Sequence, residues 1–341
     1  MKAMVLTRIC DLGQTQTPLE CMDLPEPRPD PGEVLIHVAA CGVCHTELDE
    51  IEGRTAPRTL PVVPGHQVVG RVEETGGQVR GLHVGDRVGV AWIHHACGQC
   101  RFCTSGRENL CPEFRATGRD VNGGYAQYMT APAAFACPVP DVLSDVEAAP
   151  LLCAGAVGYR SLRLAHLQDG QCLGLTGFGA SGHLVLKMVQ VQLPRTRVYV
   201  FARNAQERDL AQQLGAVWAG DILDPCPAPL DAVIDTTPVW TPVVEALKAL
   251  SPGGRLVINA IRKEDLDKEA LLGLDYAEGL WMEKQIQSVA NVTRQDVREF
   301  LGLAAGLRLR PEVQEYPLDD ANQALMELKR HQIRGAKVLI I

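Results

Sequence analysis

From about residue 155 the sequence alternates strand-like apolar runs with segments of helical periodicity, and this alternation constrains the fold more than any other feature. The strand candidates are Cys172–Thr176, Arg197–Phe201, Leu230–Asp235, Arg255–Asn259 and Gln285–Val289. After the first of them, Leu184, Val185, Met188 and Val189 recur at helical spacing. Ala205–Leu214 reads as a second helix, with Gly215 placed as the residue just past its end. Strands and helices in alternation bury their apolar faces as a parallel sheet covered by helices, an α/β architecture.

The first 150 residues have a different character. Short β-branched runs cut by Gly and Pro, among them Val34–Val38, Val68–Val72 and Leu82–Val88, predict a β-rich region. The parallel-sheet pattern is complete by about residue 290, and the tail Lys337–Ile341 is again strand-like. The expectation is therefore one domain made of 1–155 and 291–341 and a second made of 156–290. A chain of 341 residues is long enough to give each its own core.

Composition excludes several classes of function. With 46% apolar and 22% charged residues the balance is that of a globular protein. A formal charge of −8 argues against broad binding to nucleic acid or anionic membrane, which needs clustered positive charge. No apolar run approaches the roughly 18–20 residues that span a bilayer, and the start of the chain lacks a secretory h-region. A cytoplasmic protein without membrane or nucleic-acid partners is expected.

After the strand Cys172–Thr176 comes Gly177-Phe178-Gly179-Ala180-Ser181-Gly182, followed by the helical pattern. In that setting Gly177 permits a tight turn, Gly179 lets the backbone approach a pyrophosphate, and Gly182 allows close helix–strand packing. The helix N-terminus supplies unpaired N–H groups to phosphate. Where an NAD site usually carries an acid for the ribose 2′-OH, this chain has Ala202, followed by Arg203. Loss of a carboxylate and gain of a guanidinium favour NADP(H) over NAD(H). The competing reading is that Arg203 stacks on adenine or faces solvent.

Twelve cysteines in a reducing compartment point to metal rather than disulfides. Cys97, Cys100, Cys103 and Cys111 follow one another at C-x2-C-x2-C-x7-C, a spacing that closes tetrahedrally on one zinc and leaves no open position. An iron–sulfur cluster is the competing reading. Cys44, His66 and Cys153 form a dispersed set whose two thiolates and one imidazole leave a fourth position free for a ligand oxygen. Their spacing alone favours nothing more than buried cysteines and a surface histidine. Cys10, Cys21, Cys41, Cys137, Cys172 and Cys226 read as small buried apolar residues.

The segments Gly42-Val43-Cys44-His45-Thr46-Glu47-Leu48, Pro64-Gly65-His66, the four-cysteine loop, Leu151-Leu152-Cys153-Ala154-Gly155 and the Gly-rich turn occur in that order. As a set, over essentially the whole chain, they resemble the zinc-dependent alcohol dehydrogenases of the medium-chain dehydrogenase/reductase superfamily. The resemblance implies a GroES-like catalytic domain (1–155 and 291–341) with a structural-zinc lobe at about 92–115, and a Rossmann cofactor domain (156–290). It implies two zincs per chain and hydride transfer between a small alcohol or aldehyde and a nicotinamide cofactor. Carried over by position, Cys44, His66 and Cys153 hold the catalytic zinc, and Thr46 bonds the substrate oxygen and starts a proton relay. His45 lies near the cofactor pyrophosphate and Trp92 near the substrate pocket. A homodimer or homotetramer assembled through the Rossmann sheet edge is expected.

The chain also departs from that family's pattern. Gln67 replaces the Glu that follows the zinc histidine, which leaves an amide as second-shell group or exchange ligand. Glu47 replaces the Asp that orients the histidine. Asp49 replaces the relay histidine and becomes the candidate end of the relay. Val157 replaces a Thr near the nicotinamide. Ala336 replaces an Arg that meets the pyrophosphate, with Arg334 or Lys337 as substitutes. The alternative function is a zinc-stabilised, cofactor-binding protein whose turnover is lost or redirected.

Overall fold

The computed structural model describes residues 1–330 and 335–341, which divide into two compact units, Met1–Ala156 with Val292–Ile341, and Val157–Asn291. The first unit opens with β1 (Lys2–Val5) and β2 (Glu20–Asp23), an antiparallel pair. The 11-residue β3 (Glu33–Val43) leads directly into α1 (His45–Ile51). There follow β4 (Val68–Thr75), β5 (Arg87–Val90), β6 (Ile93–His95), β7 (Arg115–Ala116), β8 (Tyr128–Pro132), β9 (Ala136–Pro138) and α2 (Asp145–Pro150). β3 pairs antiparallel with both β4 and β8, and its Val34, Ile36 and Val38 enter the core as the alternation of a strand requires.

The expected strand Leu82–Val88 is largely a turn, and only Arg87–Val90 pairs. Gly81 and Gly85 take positive φ, Asp86 Oδ2 accepts the His83 N–H at 2.8 Å, and Val84 is exposed. The Asp side chain and Gly85 favour a turn over a ladder, so the β-branched pattern misleads there.

The second unit contains α3 (Ala156–Ala165), most of which lies in it, then β10 (Cys172–Thr176), α4 (Ala180–Gln192), β11 (Arg197–Phe201) and α5 (Ala205–Gln213). It continues through β12 (Trp218–Gly220), β13 (Leu230–Asp235), α6 (Thr241–Ala249), β14 (Leu250–Ile258), α7 (Tyr276–Gly279) and β15 (Gln285–Ser288). Among the described residues the sheet runs β12-β11-β10-β13-β14-β15 with every pair parallel, the order of a Rossmann sheet. The direction of winding reverses between β10 and β13, and ligands of such sheets bind beyond the strand ends at that point. Gly215 has φ +98° and follows α5 as expected. β12, three residues long, is too short to announce itself by periodicity.

The chain then returns to the first unit through α8 (Arg294–Gly306), β16 (Val313–Pro317), α9 (Ala321–Lys329) and β17 (Ala336–Ile340). β17 pairs antiparallel with β3, placing Lys337 opposite Val43, and β16 extends the sheet in parallel. The result, β16-β17-β3-β4-β5-β9 with β8 also on β3, wraps one apolar core. Lys337 is not a free cation. Its buried ammonium donates to Glu327 Oε2 and Tyr316 Oη at 2.6 Å and to Gln314 Oε1 at 3.0 Å. Arg334 lies outside the described residues. Cys41, Cys137 and Cys172 are buried, Cys10 and Cys226 are half-buried, and Cys21 is exposed because all of β2 faces solvent. Among the described residues no helix is long and apolar enough to cross a membrane.

Candidate active site

The end of β3 and the start of α1 place the first candidate ligand. Cys44 takes extended backbone angles as the N-cap of α1, where its Sγ accepts the Thr46 N–H at 3.3 Å. Glu47, one turn on, reaches back so that its Oε2 accepts the Cys44 N–H at 2.8 Å. This reciprocal cap fixes Cys44 at a helix N-terminus, where the dipole favours a thiolate. The other carboxylate oxygen of Glu47 accepts the N–H of His66 Nδ1 at 2.6 Å, which turns His66 Nε2 toward Cys44. Gly65 takes φ +97°, and a Cβ there would strike Cys41 and the Tyr125 ring, so only glycine brings His66 in along this path.

Cys153 arrives from the far end of the same unit. After α2 the helical path widens into a π-type turn over Leu151–Gly155. Such turns re-aim side chains and recur at functional sites. Gly155 makes room for Phe300 of α8, which occupies the space that a side chain at Gly155 would need.

Cys44, His66 and Cys153 thus offer three ligand atoms that lie within 4.8 Å of one another. Cys44 Sγ and His66 Nε2 are 3.6 Å apart. A tetrahedral zinc with Zn–S near 2.3 Å and Zn–N near 2.05 Å requires about 3.6 Å between those atoms. Burial works against a charged His66, yet Glu47 and Cys44 outweigh it and hold its pKa well above the ordinary value. The hydrogen bond with Cys153, followed by burial and the charge of Glu47, pushes the Cys44 thiol up as well. A metal bound by these atoms would have to displace those protons, so its affinity would fall as pH falls.

The four-cysteine loop lies in the same unit and also gathers its sulfurs within 4.8 Å. Cys97 and Cys103 are 3.9 Å apart and Cys100 and Cys103 3.5 Å, on either side of the roughly 3.8 Å edge of a ZnS4 tetrahedron. Backbone N–H groups of Cys97 and Glu113 point at Cys111 Sγ at 3.3 and 3.4 Å, and that of Cys100 at Cys97 Sγ at 3.4 Å. The described cysteines are all free thiols.

Around the three-ligand cluster, Thr46 is buried on the first turn of α1 and His45, beside it, is exposed. Asp49 is buried and engaged by the Arg54 guanidinium, whose Nε and Nη2 approach Oδ1 at 2.7 and 2.6 Å. Any relay through Asp49 has to share its carboxylate with that cation. Gln67 is buried, its amide oxygen pressed against Gly42, where a side chain would collide with it. Trp92 is buried against Phe114 and under the Arg119 guanidinium, 4.9 Å from the ring centroid. Its Nε1 donates to Glu50 Oε1 at 3.4 Å.

Glu50 escaped the sequence reading. It is 2% exposed, and among the described residues its Oε2 has no hydrogen-bond partner. Burial first, then the neighbouring Glu47, pushes its pKa up to about 8. The one available signal was its position four residues after Thr46, on the same face of α1.

In the second unit, Gly177 takes φ +80° at the end of β10 and donates its N–H to Phe201 O at 2.8 Å. A Cβ on Gly182 would lie 2.7 Å from Gly177 O, so helix and turn meet only through glycine. A Cβ on Gly179 would meet nothing within 4 Å. Gly179 is the N-cap of α4 with no side-chain capping bond, so the space over the helix N-terminus is open to a phosphate. Ala202 is buried just past β11 and Arg203 after it is exposed. Arg208, also missed in the sequence, donates to the carbonyls of Ala202 at 2.7 Å and Arg203 at 2.9 Å.

The alcohol dehydrogenase GroES-like domain family matches residues 30–141. A probable alcohol dehydrogenase, AdhA, of Mycobacterium tuberculosis is 46% identical over 329 residues, 95% of this chain and 93% of that protein. The chain belongs to the zinc-type alcohol dehydrogenases of the medium-chain dehydrogenase/reductase superfamily. An alcohol dehydrogenase of Geobacillus stearothermophilus is 33% identical over 94% of this chain and 95% of its own length. Among solved structures, the cobalt- and zinc-bound thermostable alcohol dehydrogenase from Pyrobaculum aerophilum superposes with TM-score 0.85 at 26% identity, covering 100% of this chain and 99% of that one. The reaction class of this zinc-type alcohol dehydrogenase is alcohol/aldehyde oxidoreduction.

Proposed function

We propose that this chain is an NADP(H)-linked alcohol dehydrogenase, working on small aldehydes and alcohols, that holds two zinc ions. Cys44, His66 and Cys153 would hold one and Cys97, Cys100, Cys103 and Cys111 the other. The observation that carries the reading is the 3.6 Å approach of Cys44 Sγ and His66 Nε2, with His66 fixed from behind by Glu47. Three protein ligands leave one position for a substrate oxygen, whereas four thiolates leave none. When bound, the three-ligand zinc supplies Lewis acidity toward that oxygen.

The chain's own residues supply the rest. Glu47 orients His66 and keeps it basic. Thr46, buried two residues past the cap, is the hydroxyl able to pass a proton to or from the substrate oxygen. Trp92, braced by Glu50 and Arg119, walls the pocket and excludes water. His45 and the turn Gly177–Gly182 would take the cofactor pyrophosphate. Ala202 leaves the adenosine ribose without a repelling acid, and Arg203 offers its guanidinium to a 2′-phosphate.

The same reading includes a homodimer or homotetramer. β15 is an edge strand of the parallel sheet, and Leu272, Tyr276, Trp281, Met282 and Ile286 in and before it are all exposed. An uncovered edge with apolar side chains favours association.

Metal analysis combined with NADPH and NADH oxidation over an aldehyde panel tests the proposal. Two zincs per chain and NADPH-linked turnover that Cys44→Ser abolishes are expected. One zinc and no turnover with either cofactor would leave the lost-turnover alternative.

A further inference from the structure

At the point where the winding of the parallel sheet reverses, the ends of the two flanking strands are hydrogen-bonded to each other, and a lysine with a buried side chain closes on one of them. Thr176 ends β10 and Asp235 ends β13, and Thr176 Oγ1 donates to Asp235 Oδ1 at 2.6 Å. Lys263, from the loop after β14, forms an ion pair with Asp235 Oδ2, and the two side chains are 7% and 0% exposed. The Lys263 ammonium also donates to Thr237 O and Val239 O, each at 2.8 Å. Its three N–H donors therefore meet three protein acceptors, which leaves none for a ligand.

This cluster leads directly to the Gly-rich turn. The loop 236–240 is fastened to the loop 259–264 by Asn259 N–H to Asp235 O at 2.7 Å and Glu264 N–H to Pro238 O at 2.6 Å. Thr237 Oγ1 donates to Asp235 Oδ1 at 2.7 Å. Thr236, next to it, lies against Gly177: its Oγ1 bonds Thr176 O at 3.0 Å and Gly177 O at 3.3 Å. A Cβ on Gly177 would lie 2.6 Å from that hydroxyl.

We propose that Lys263 is a positioning residue for the nicotinamide dinucleotide, holding Asp235 and Thr236 so that the Gly177–Gly182 turn keeps the shape that receives the pyrophosphate. The inference rests on the cofactor-site reading above. Removing one partner of a buried ion pair leaves the other charge uncompensated and destabilises the fold, so the geometric role is read from cofactor affinity in folded protein and not from stability. A site one loop away gains from such support, because misplacement of about 1 Å weakens the bound geometry.

The test is titration of the purified zinc-loaded protein with NADPH and with NADH, alongside steady-state kinetics and thermal melting. Lys263→Met is expected to weaken both cofactors by the same factor, about tenfold or more, while kcat at saturating NADPH stays within about twofold. Thr236→Val keeps the ion pair and removes the hydroxyl's bonds to Thr176 O and Gly177 O, so it decides the matter if Lys263→Met fails to fold. It is expected to weaken both cofactors about threefold or more. A parent protein that binds both cofactors, with a folded Lys263→Met or Thr236→Val that binds them equally well, overturns this inference alone, whatever happens to the melting temperature. Weakening of NADPH but not NADH would make Lys263 a 2′-phosphate contact and overturn it too. A parent that binds neither cofactor overturns the cofactor-site reading and this inference with it.

Discussion

Glu47 Oε1 lies 2.6 Å from His66 Nδ1, and both side chains are sealed from solvent. The same carboxylate caps α1 through the Cys44 N–H, so one residue sets the tautomer of one candidate ligand and the backbone of another. Glu47→Ala is expected to lower metal affinity at the three-ligand cluster by about 10–100-fold, the usual size of such an effect. Zinc per chain should then fall from two toward one on dialysis, with the four-cysteine site still loaded. Two tightly held zincs in the variant would refute the orienting role.

The end of β11 makes a prediction about cofactor choice. Arg203→Ala is expected to raise the NADPH dissociation constant about tenfold, the size of one lost charge-assisted contact, and to leave NADH nearly unchanged. Ala202→Asp should reverse the preference by placing a carboxylate against the 2′-phosphate. Titration of both variants with both cofactors checks this, and parallel changes for NADPH and NADH would speak against an NADP(H) site.

The buried Lys337 predicts an acid-dependent loss of stability. Its hydrogen bond, with those of Tyr316 and Gln323, pulls the Glu327 carboxyl down to about 2 from an ordinary 4.5. The native state therefore binds this proton at lower pH than the unfolded chain does. Its contribution is present above about pH 4.5 and is lost as pH falls toward about 2. Glu327→Gln should cost about 1–2 kcal/mol near neutrality and flatten the acid limb of a urea-denaturation series. A parent–variant difference that does not change with pH would contradict the linkage.

Glu50 has the opposite sign. With its pKa raised to about 8 from 4.5, the native state keeps a proton that the unfolded chain releases. Stability from this group is present at low pH and is lost as pH rises through that window. In the metal-free protein Glu50→Gln should therefore melt increasingly above the parent as pH goes from about 5 to 8, because an amide carries no such penalty. A constant offset in melting temperature would show that Glu50 is not under this strain.

Much of the fold was legible because burial on both faces leaves a plain signature. The runs Cys172–Thr176, Arg197–Phe201 and Leu230–Asp235 coincide with β10, β11 and β13 to the residue. Leu82–Val88 misled because β-branched side chains occur equally in a turn that a glycine and an aspartate stabilise. The candidate metal residues stood out as residue types, yet nothing in local spacing joined Cys153 to Cys44, since β3, α1 and the helical path after α2 bring them together only in three dimensions. Glu50, Arg54 and Lys263 were invisible for a related reason. A charged residue reads as solvated surface until the fold shows what encloses it.

The widened turn at Leu151–Gly155 has a consequence for how this chain tolerates insertions and deletions. A π-type turn carries one residue more than the regular helix around it. Removing Leu151 or Leu152 would let the path close into ordinary turns with little harm to the helix. It would also rotate Cys153 by about 100°, the angle of one helical residue, away from Cys44 and His66. Loss of a single codon upstream of the cysteine would then dismantle the three-atom cluster while all three residues stayed in the sequence, so a count of candidate ligands would not reveal that their arrangement had gone.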